Sequence, residues 1–401
     1  MNQKKLMLLG GLRYLLPVIK AAHNHNIFVI TVDYIPDNIA HKYSDEYHIV
    51  SIIDKDAVLN LAQELKIDGI MSFAVDPGVV TAAYVAEKMG LPFQGSYESV
   101  SILQNKERFR QFLTENKFNV PNAKGYTTLS DAEKDTGFFN WPVIVKPVDS
   151  AGSKGCSRVD NPKDLAPAVE YALSESHNNH FIIEDFLDKV GNSSDTDCFS
   201  INGKLVYCSF SDQRFDVNAE NPYTPSAYSW PSTMPQTAQK ELYTELQRLV
   251  DLLHLDTGIY NIETRLCTNG KPYIMEISPR GGGNRLAEML NYASRLDLID
   301  NAVRAAVGLP IDDMTMPHYY GHLAEIILHA DNEGEFVSLE VDDNKKLKVI
   351  ETDLWIKPGD KVHGFRGANQ AIGTLVLRFE NEEDLEKSIT NLSSWLKIIV
   401  K

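Results

Sequence analysis

The sequence predicts a chain of mixed class, an α/β unit followed by α+β units, and three observations carry that expectation. Short apolar runs alternate with helical stretches over the first hundred residues. Asn-Gly pairs at Asn202-Gly203 and Asn269-Gly270 mark antiparallel hairpins further on. At 401 residues, two or three domains are expected rather than one core. The composition, 43% hydrophobic and 23% charged, is that of a globular protein. A net charge of -16 leaves no excess of Lys and Arg to neutralise phosphates, so nucleic acid is not an expected partner. No apolar run reaches the roughly 18 residues of a membrane span, and "MNQKKLMLLGG" continues as strand, turn and helix rather than as a signal peptide. No membrane partner is expected. Cys156, Cys198, Cys208 and Cys267 show no C-x-x-C spacing and read as reduced thiols in a cytoplasmic protein.

In chain order, "KLMLLGG" reads as a strand, "RYLLPVIKAAHNHN" as a helix and "IFVITVDY" as a second strand. "DAVLNLAQELKID", "GIMSFAV" and "VVTAAYVAEKMG" repeat the pattern as helix, buried strand and helix. Strands separated by such helices predict a parallel, doubly wound sheet, a Rossmann-like unit over residues 1–105. Gly10-Gly11 and Asp33 invite a dinucleotide reading, but "GGLRYL" lacks the third glycine. A nucleotide fold reused as a substrate wall fits better.

The texture changes from "NKERFRQFLTENKFNVP", a helix carrying Lys106, to "WPVIVKPV", a strand alternating toward Lys146. "DSAGSKGCSRV" follows, where Gly152 and Gly155 flank Ser153 and Lys154. Small residues let backbone amides approach an anion and the lysine adds a point charge, so the stretch reads as a lid over phosphates or as a plain loop between strands. "HFIIEDFLDK" is an apolar strand ending in Glu184. Residues 209–234 show neither helical nor strand periodicity, although their aromatic residues argue against disorder.

The last hairpin carries the chemistry. With Asn269-Gly270 as a two-residue turn, Thr268 faces Lys271, Glu263 faces Glu276 and Asn261 faces Ser278, all on one side of the ribbon. Opposed side chains lie about 5 Å apart, where like charges repel, so a cation belongs between the glutamates. Arg265 on the same face is one candidate. Two carboxylates with an amide oxygen and a hydroxyl make a hard-oxygen set suited to Mg²⁺, or Mn²⁺ in its place. Arg280, just beyond the strand, suits a phosphoryl group or carboxylate.

The order Lys106, "VIVKP", "GSKG", "IIEDFL" and "IETRL…YIMEISPRGGG" resembles the ATP-grasp superfamily. The likeness is to its amino-acid ligases and to carbamoyl-phosphate-synthetase-like and glycinamide-ribonucleotide-synthetase-like proteins. It implies a pre-ATP-grasp domain over 1–105, an ATP-grasp domain over 106–310 with a lid subdomain at about 120–187, and a small β-rich C-terminal α+β domain over 311–401. By position it implies that Lys106 and Lys146 meet ATP phosphates while Gly152, Ser153, Lys154 and Gly155 close over them. Glu184 with the backbone of Asp185, Phe186 and Leu187 then forms the adenine hinge, and Asp195 or Asp197 meets the ribose. Glu263 and Glu276 hold metal, helped by Asn261 and by Ser278, which stands where the family has asparagine. Arg280, Lys154 and Glu276 serve the transfer. The implied activity joins a small carboxylate to an amine through an acyl phosphate, with ATP and Mg²⁺, in a cytoplasmic enzyme whose C-terminal domain closes the cleft or supports a homodimer. A bicarbonate-using carboxylase and a non-catalytic nucleotide binder are the alternatives. The eleven histidines show no metal spacing.

Overall fold

The computed structural model describes residues 3–150 and 154–401. The first sheet is parallel, in the order Glu46–His48, Phe28–Val32, Lys5–Leu9 and Gly69–Ser72. Its central strands are apolar on both faces apart from Lys5 and Thr31, because helices cover both sides. Asp54 caps the Lys55–Leu65 helix, and the Asp76–Met89 helix stops at Gly90, whose φ of 67° suits a glycine.

A second, antiparallel sheet runs Ala123–Tyr126, Phe181–Asp185, Val143–Pro147 and Ser157–Val159, backed by the Leu165–Ser174 helix. The third holds the hairpin, in the order Lys204–Cys208, Ser194–Ile201, Gly258–Leu266 and Pro272–Ser278. One of its faces, through Cys198, Tyr260, Ile262, Ile274 and Ile277, packs on the Gln236–Leu252 and Lys106–Glu115 helices. Alternation therefore sends Asp195, Asp197, Asn261 and Glu263 to the other face.

Three expectations need correction. The 209–234 segment contains two strands, Asp212–Phe215 and Pro225–Trp230, which form the edge of a five-stranded sheet continued by His322–Leu328, Gly373–Phe379 and Val349–Leu354. A bulge after Arg214 and buried polar partners on both sides hide the period of two. The stretch "DLEKSITNLSSWLKII" has the pattern of one helix, but the helix breaks at Asn391 and Leu396–Val400 is a strand paired with Gly334–Val341. The β-branched run Ile398–Val400 favours that outcome.

The third concerns the hairpin turn. It is a three-residue loop, Thr268 to Gly270, in which Cys267 N donates to Lys271 O at 3.0 Å and Gly270 has φ 77°. The longer turn displaces the register by one residue, so that Thr264 faces Ile274, and a bulge at Met275 then restores it. Glu263 ends opposite Glu276 and Asn261 opposite Ser278, as expected, but by two compensating departures rather than by a regular ladder.

Candidate active site

Register places three acids in a row across adjacent strands: Asp195 opposite Glu263, and Glu263 opposite Glu276. Neighbouring strands are about 4.8 Å apart, so the charges crowd. Burial first, then Glu276, pushes the Glu263 carboxyl up, with Arg265 opposing. Burial and Glu263 raise Asp195 to about 7. Asp197, one residue pair along, reaches about 7 through burial and Asp195, against a bond from Gly282 N at 2.8 Å. Arg265 stands 3.5 Å from Glu263 and also bonds Ser193 and the Leu187 carbonyl. Glu276 makes no hydrogen bond or ion pair with any described residue. An acidic row with one uncommitted carboxylate fits a divalent cation better than Arg265 alone does.

Asn261 and Ser278 point to other partners. The Asn261 amide nitrogen reaches Asp195 Oδ1 at 2.9 Å and Asp197 Oδ1 at 3.3 Å. Buried Ser278 accepts from Gln104 at 2.8 Å and donates to Asp76 at 3.2 Å. The structure thus brings Asp195, Asn261, Glu263, Glu276 and Ser278 onto one face, with Ser278 committed to neighbours.

Around the second sheet, Glu184 is 1% exposed and is held by Arg110 at 2.9 Å and Lys146 at 2.8 Å. Burial alone would raise its pKa, but Arg110 and then Lys146 outweigh that and hold it near 2. The adjoining backbone is partly committed: Asp185 N donates to Asn122 O and Phe186 N to Pro142 O, each at 2.9 Å. Lys106, at the start of its helix, donates to Ser150 O at 2.7 Å. Lys154 is exposed and Gly155 has φ 69°, while Gly152 and Ser153 lie outside the described residues.

Arg280 is 7% exposed and grips Asp76 with two parallel bonds, Nε at 2.8 Å and Nη2 at 2.7 Å. Burial disfavours its charge, and Asp76 more than compensates.

Sequence reasoning missed Arg110 and Asp76. Arg110 stands one helical turn after Lys106, hence on the same face, which was the available signal. Its Nη1 also donates to the carbonyl of Met275, the bulge residue, at 2.8 Å. Asp76 opens a helix beyond the carboxyl end of a parallel strand, where ligands of such sheets gather. Arg214 is paired with Glu386. One histidine does join a ligating cluster: atoms of Asp216, His329 and Asp331 lie within 4.8 Å of one another.

The family model of the ATP-grasp domain matches residues 139–288. The carbamoyl phosphate synthase large chain of Clostridium botulinum (strain Kyoto / Type A2) is 22% identical over 397 residues, covering 92% of this chain and 35% of that protein. The chain therefore spans about a third of the length of that relative. The formate-dependent phosphoribosylglycinamide formyltransferase of Prochlorococcus marinus (strain NATL2A) is 25% identical over 322 residues, 78% of either chain. The L-amino acid ligase from Bacillus licheniformis superposes with a TM-score of 0.82 at 20% identity over the whole of both chains. No described helix is long and apolar enough to cross a membrane. The matched segment contains the Lys146–Glu184 pair, the acidic row and Arg280, and the chain carries an ATP-grasp domain at residues 139–288.

Proposed function

We propose that the protein is an ATP-dependent carboxylate–amine ligase. The observation that carries this reading is the row Asp195, Glu263 and Glu276 beside Arg280, kept in register by the Met275 bulge. Glu263 and Glu276 would hold Mg²⁺, whose contribution is to neutralise charge on the triphosphate. Lys146 and Lys106 supply fixed positive charge for the phosphates, with Glu184 and Arg110 orienting Lys146 from behind. Lys154 and its flanking residues cover them as a lid, and the backbone of residues 185–187 with Asp195 is assigned to the nucleoside.

The γ-phosphoryl group passes to a substrate carboxylate oxygen, the bond to ADP breaks, and an acyl phosphate forms. The amine then adds to the acyl carbon and phosphate leaves as the amide bond closes. Arg280, aimed by Asp76, stabilises the negative oxygens that develop in both steps. The L-amino acid ligase likeness supports the reaction class.

The test is ADP release from pairs of small carboxylates and amines, with mass spectrometry of the product. Release that requires both partners supports ligation. Bicarbonate-stimulated release without an amine would favour the carboxylase reading, and nucleotide binding without turnover would favour the non-catalytic one. Glu276→Gln is the control: turnover should fall at least a hundredfold while the melting temperature stays unchanged or rises, because one of two crowded charges is removed.

A further inference from the structure

Glu325 has no role in the chemistry above, yet its setting is exceptional for a carboxylate. It lies in the His322–Leu328 strand, where Ala324, Ile326 and Leu328 face the C-terminal core. Glu325 points the other way, between Tyr228 on one neighbouring strand and Val376 on the other. It is 0% exposed, and neither carboxylate oxygen has a hydrogen-bond partner among the described residues.

The one cation acting strongly on it is already spent. Arg285 sends Nε and Nη2 to Glu288, and Nη1 to Glu351 and Thr374. Glu288, Glu351 and, at 3.8 Å, Asp353 thus share a single guanidinium, and Glu325 is left over. Burial lifts its pKa well above the ordinary value, Arg285 opposes, and Glu288 and Glu351 add to the rise. Protonation does not satisfy the group either, because the acid form still presents an O–H and a carbonyl oxygen with nothing to bond. What the position lacks is a donor, preferably a positive one.

Polar and aromatic side chains stand near it. Tyr14, from the first parallel sheet's opening turn, lies close enough for Glu325 to add to burial in raising its phenol to about 12. Its hydroxyl is 3.4 Å from Asn284 Oδ1, and the Asn284 amide reaches the Tyr228 hydroxyl at 3.2 Å. The same Tyr228 hydroxyl donates to Asp195 at 3.0 Å, which links this position to the acidic row. A compact ammonium offers three donors and gains from nearby aromatic rings.

We infer that Glu325 recognises a primary ammonium group on a small substrate, entering beside Tyr14, Asn284 and Tyr228. This rests on the ligase reading for its place in the reaction. The ammonium is a recognition group of an amino-acid-like substrate and not the attacking nitrogen, which must be unprotonated. Glu325 is then a specificity-determining residue.

Glu325→Gln keeps the shape and removes an unpaired buried charge, so it should fold with a melting temperature at or above that of the wild type. The twenty L-amino acids and their N-acetyl derivatives are the probes, read by thermal shift and calorimetry. We expect at least one amino acid to bind the wild type, its N-acetyl form to bind at least tenfold more weakly, and Glu325→Gln to lose at least tenfold in affinity. In turnover, the KM for that amino acid should rise at least tenfold with the KM for ATP unchanged. Equal binding by the variant, equal binding of the acetylated form, or no binding by any amino acid overturns the inference. An amino acid that binds through Glu325 without supporting ADP release would uphold it and sink the ligase reading instead.

Discussion

Lys146 combines two demands in one side chain, since the charge assigned to phosphate is also a counter-ion of buried Glu184. Lys146→Ala should therefore lower ATP affinity at least tenfold and also reduce stability by about 1–3 kcal/mol, because Glu184 keeps only Arg110. Lys106 holds a carbonyl and no buried charge, so Lys106→Ala should weaken ATP binding more mildly at unchanged stability. Nucleotide titration and denaturant melts of both variants read this out, and an unaltered ATP affinity in Lys146→Ala removes the phosphate assignment. The aspartates Asp195 and Asp197 make a separate statement about pH. Both are raised to about 7 in the fold, against an ordinary value near 4 in the unfolded chain. The folded state thus binds their protons more tightly, and the stability this gives is complete below about pH 4 and lost as pH rises toward 7. Without ligands or metal the melting temperature should fall across that window, and Asp195→Asn should flatten the slope. A wild-type profile flat from pH 4 to 7 would contradict the crowded acidic row.

At the level of elements, the hairpin of Gly258–Leu266 and Pro272–Ser278 depends on an irregularity. The turn holds one residue more than an Asn-Gly pair suggests, and the Met275 bulge absorbs it so that Glu276 returns to the face of Glu263. Arg110 bonds the Met275 carbonyl at 2.8 Å and thereby ties the bulge to the Glu184 cluster. Deleting Met275 should let the ladder close regularly, with Glu276 directly after Ile274 and still opposite Glu263, but without the carbonyl that Arg110 holds. Turnover should then fall less than tenfold while circular dichroism still reports a folded sheet, and adding Glu276→Gln to the deletion should cost at least a hundredfold. A hundredfold loss in the deletion alone would show that the bulge itself, and not only the facing pair, is required. This hairpin also shows what the sequence revealed and what it concealed. The glutamate pairing came out as read only because two departures cancel, a turn one residue longer than the Asn-Gly signal implies and a bulge that takes that residue back. The bulge could not be read, because Arg110 that secures it is 165 residues away in the chain. The strands Asp212–Phe215 and Pro225–Trp230 were hidden for a similar reason. Their inward positions are polar, Gln213 and Tyr228 among them, and their partners lie beyond residue 320. Three strands of the parallel first sheet were plain from their apolar runs, while its edge strand, Glu46–His48, is polar and short and left no such run.

Across the whole molecule, the first parallel sheet and the hairpin of the acidic row are joined at a few consecutive residues just past the Pro272–Ser278 strand. Gln94 donates to Pro279 O at 2.7 Å, Ala74 N donates to Gly281 O at 3.0 Å, and Asp76 grips Arg280. Gly281 must be glycine here, since a Cβ would come within 2.2 Å of the Phe73 ring. These bonds make the start of the Asp76–Met89 helix part of the site: the carboxylate that aims Arg280 belongs to a different sheet from the arginine. Asp76 also accepts from Ser278, so a single carboxylate orients two neighbours of the acidic row. Asp76→Asn keeps the shape but leaves the nearly buried Arg280 without an opposite charge. Removing one partner of a buried pair costs about 3–5 kcal/mol, and the remaining amide bond should reduce that to the lower end. The variant should melt earlier by that amount, retain ATP binding, and lose at least tenfold in turnover because the guanidinium is no longer held in place. Asp76→Glu, with the charge restored on a longer stem, should recover stability more fully than turnover. Wild-type turnover in Asp76→Asn, measured alongside a denaturant melt, would show that the first sheet supports the site only as a wall and does not position its arginine.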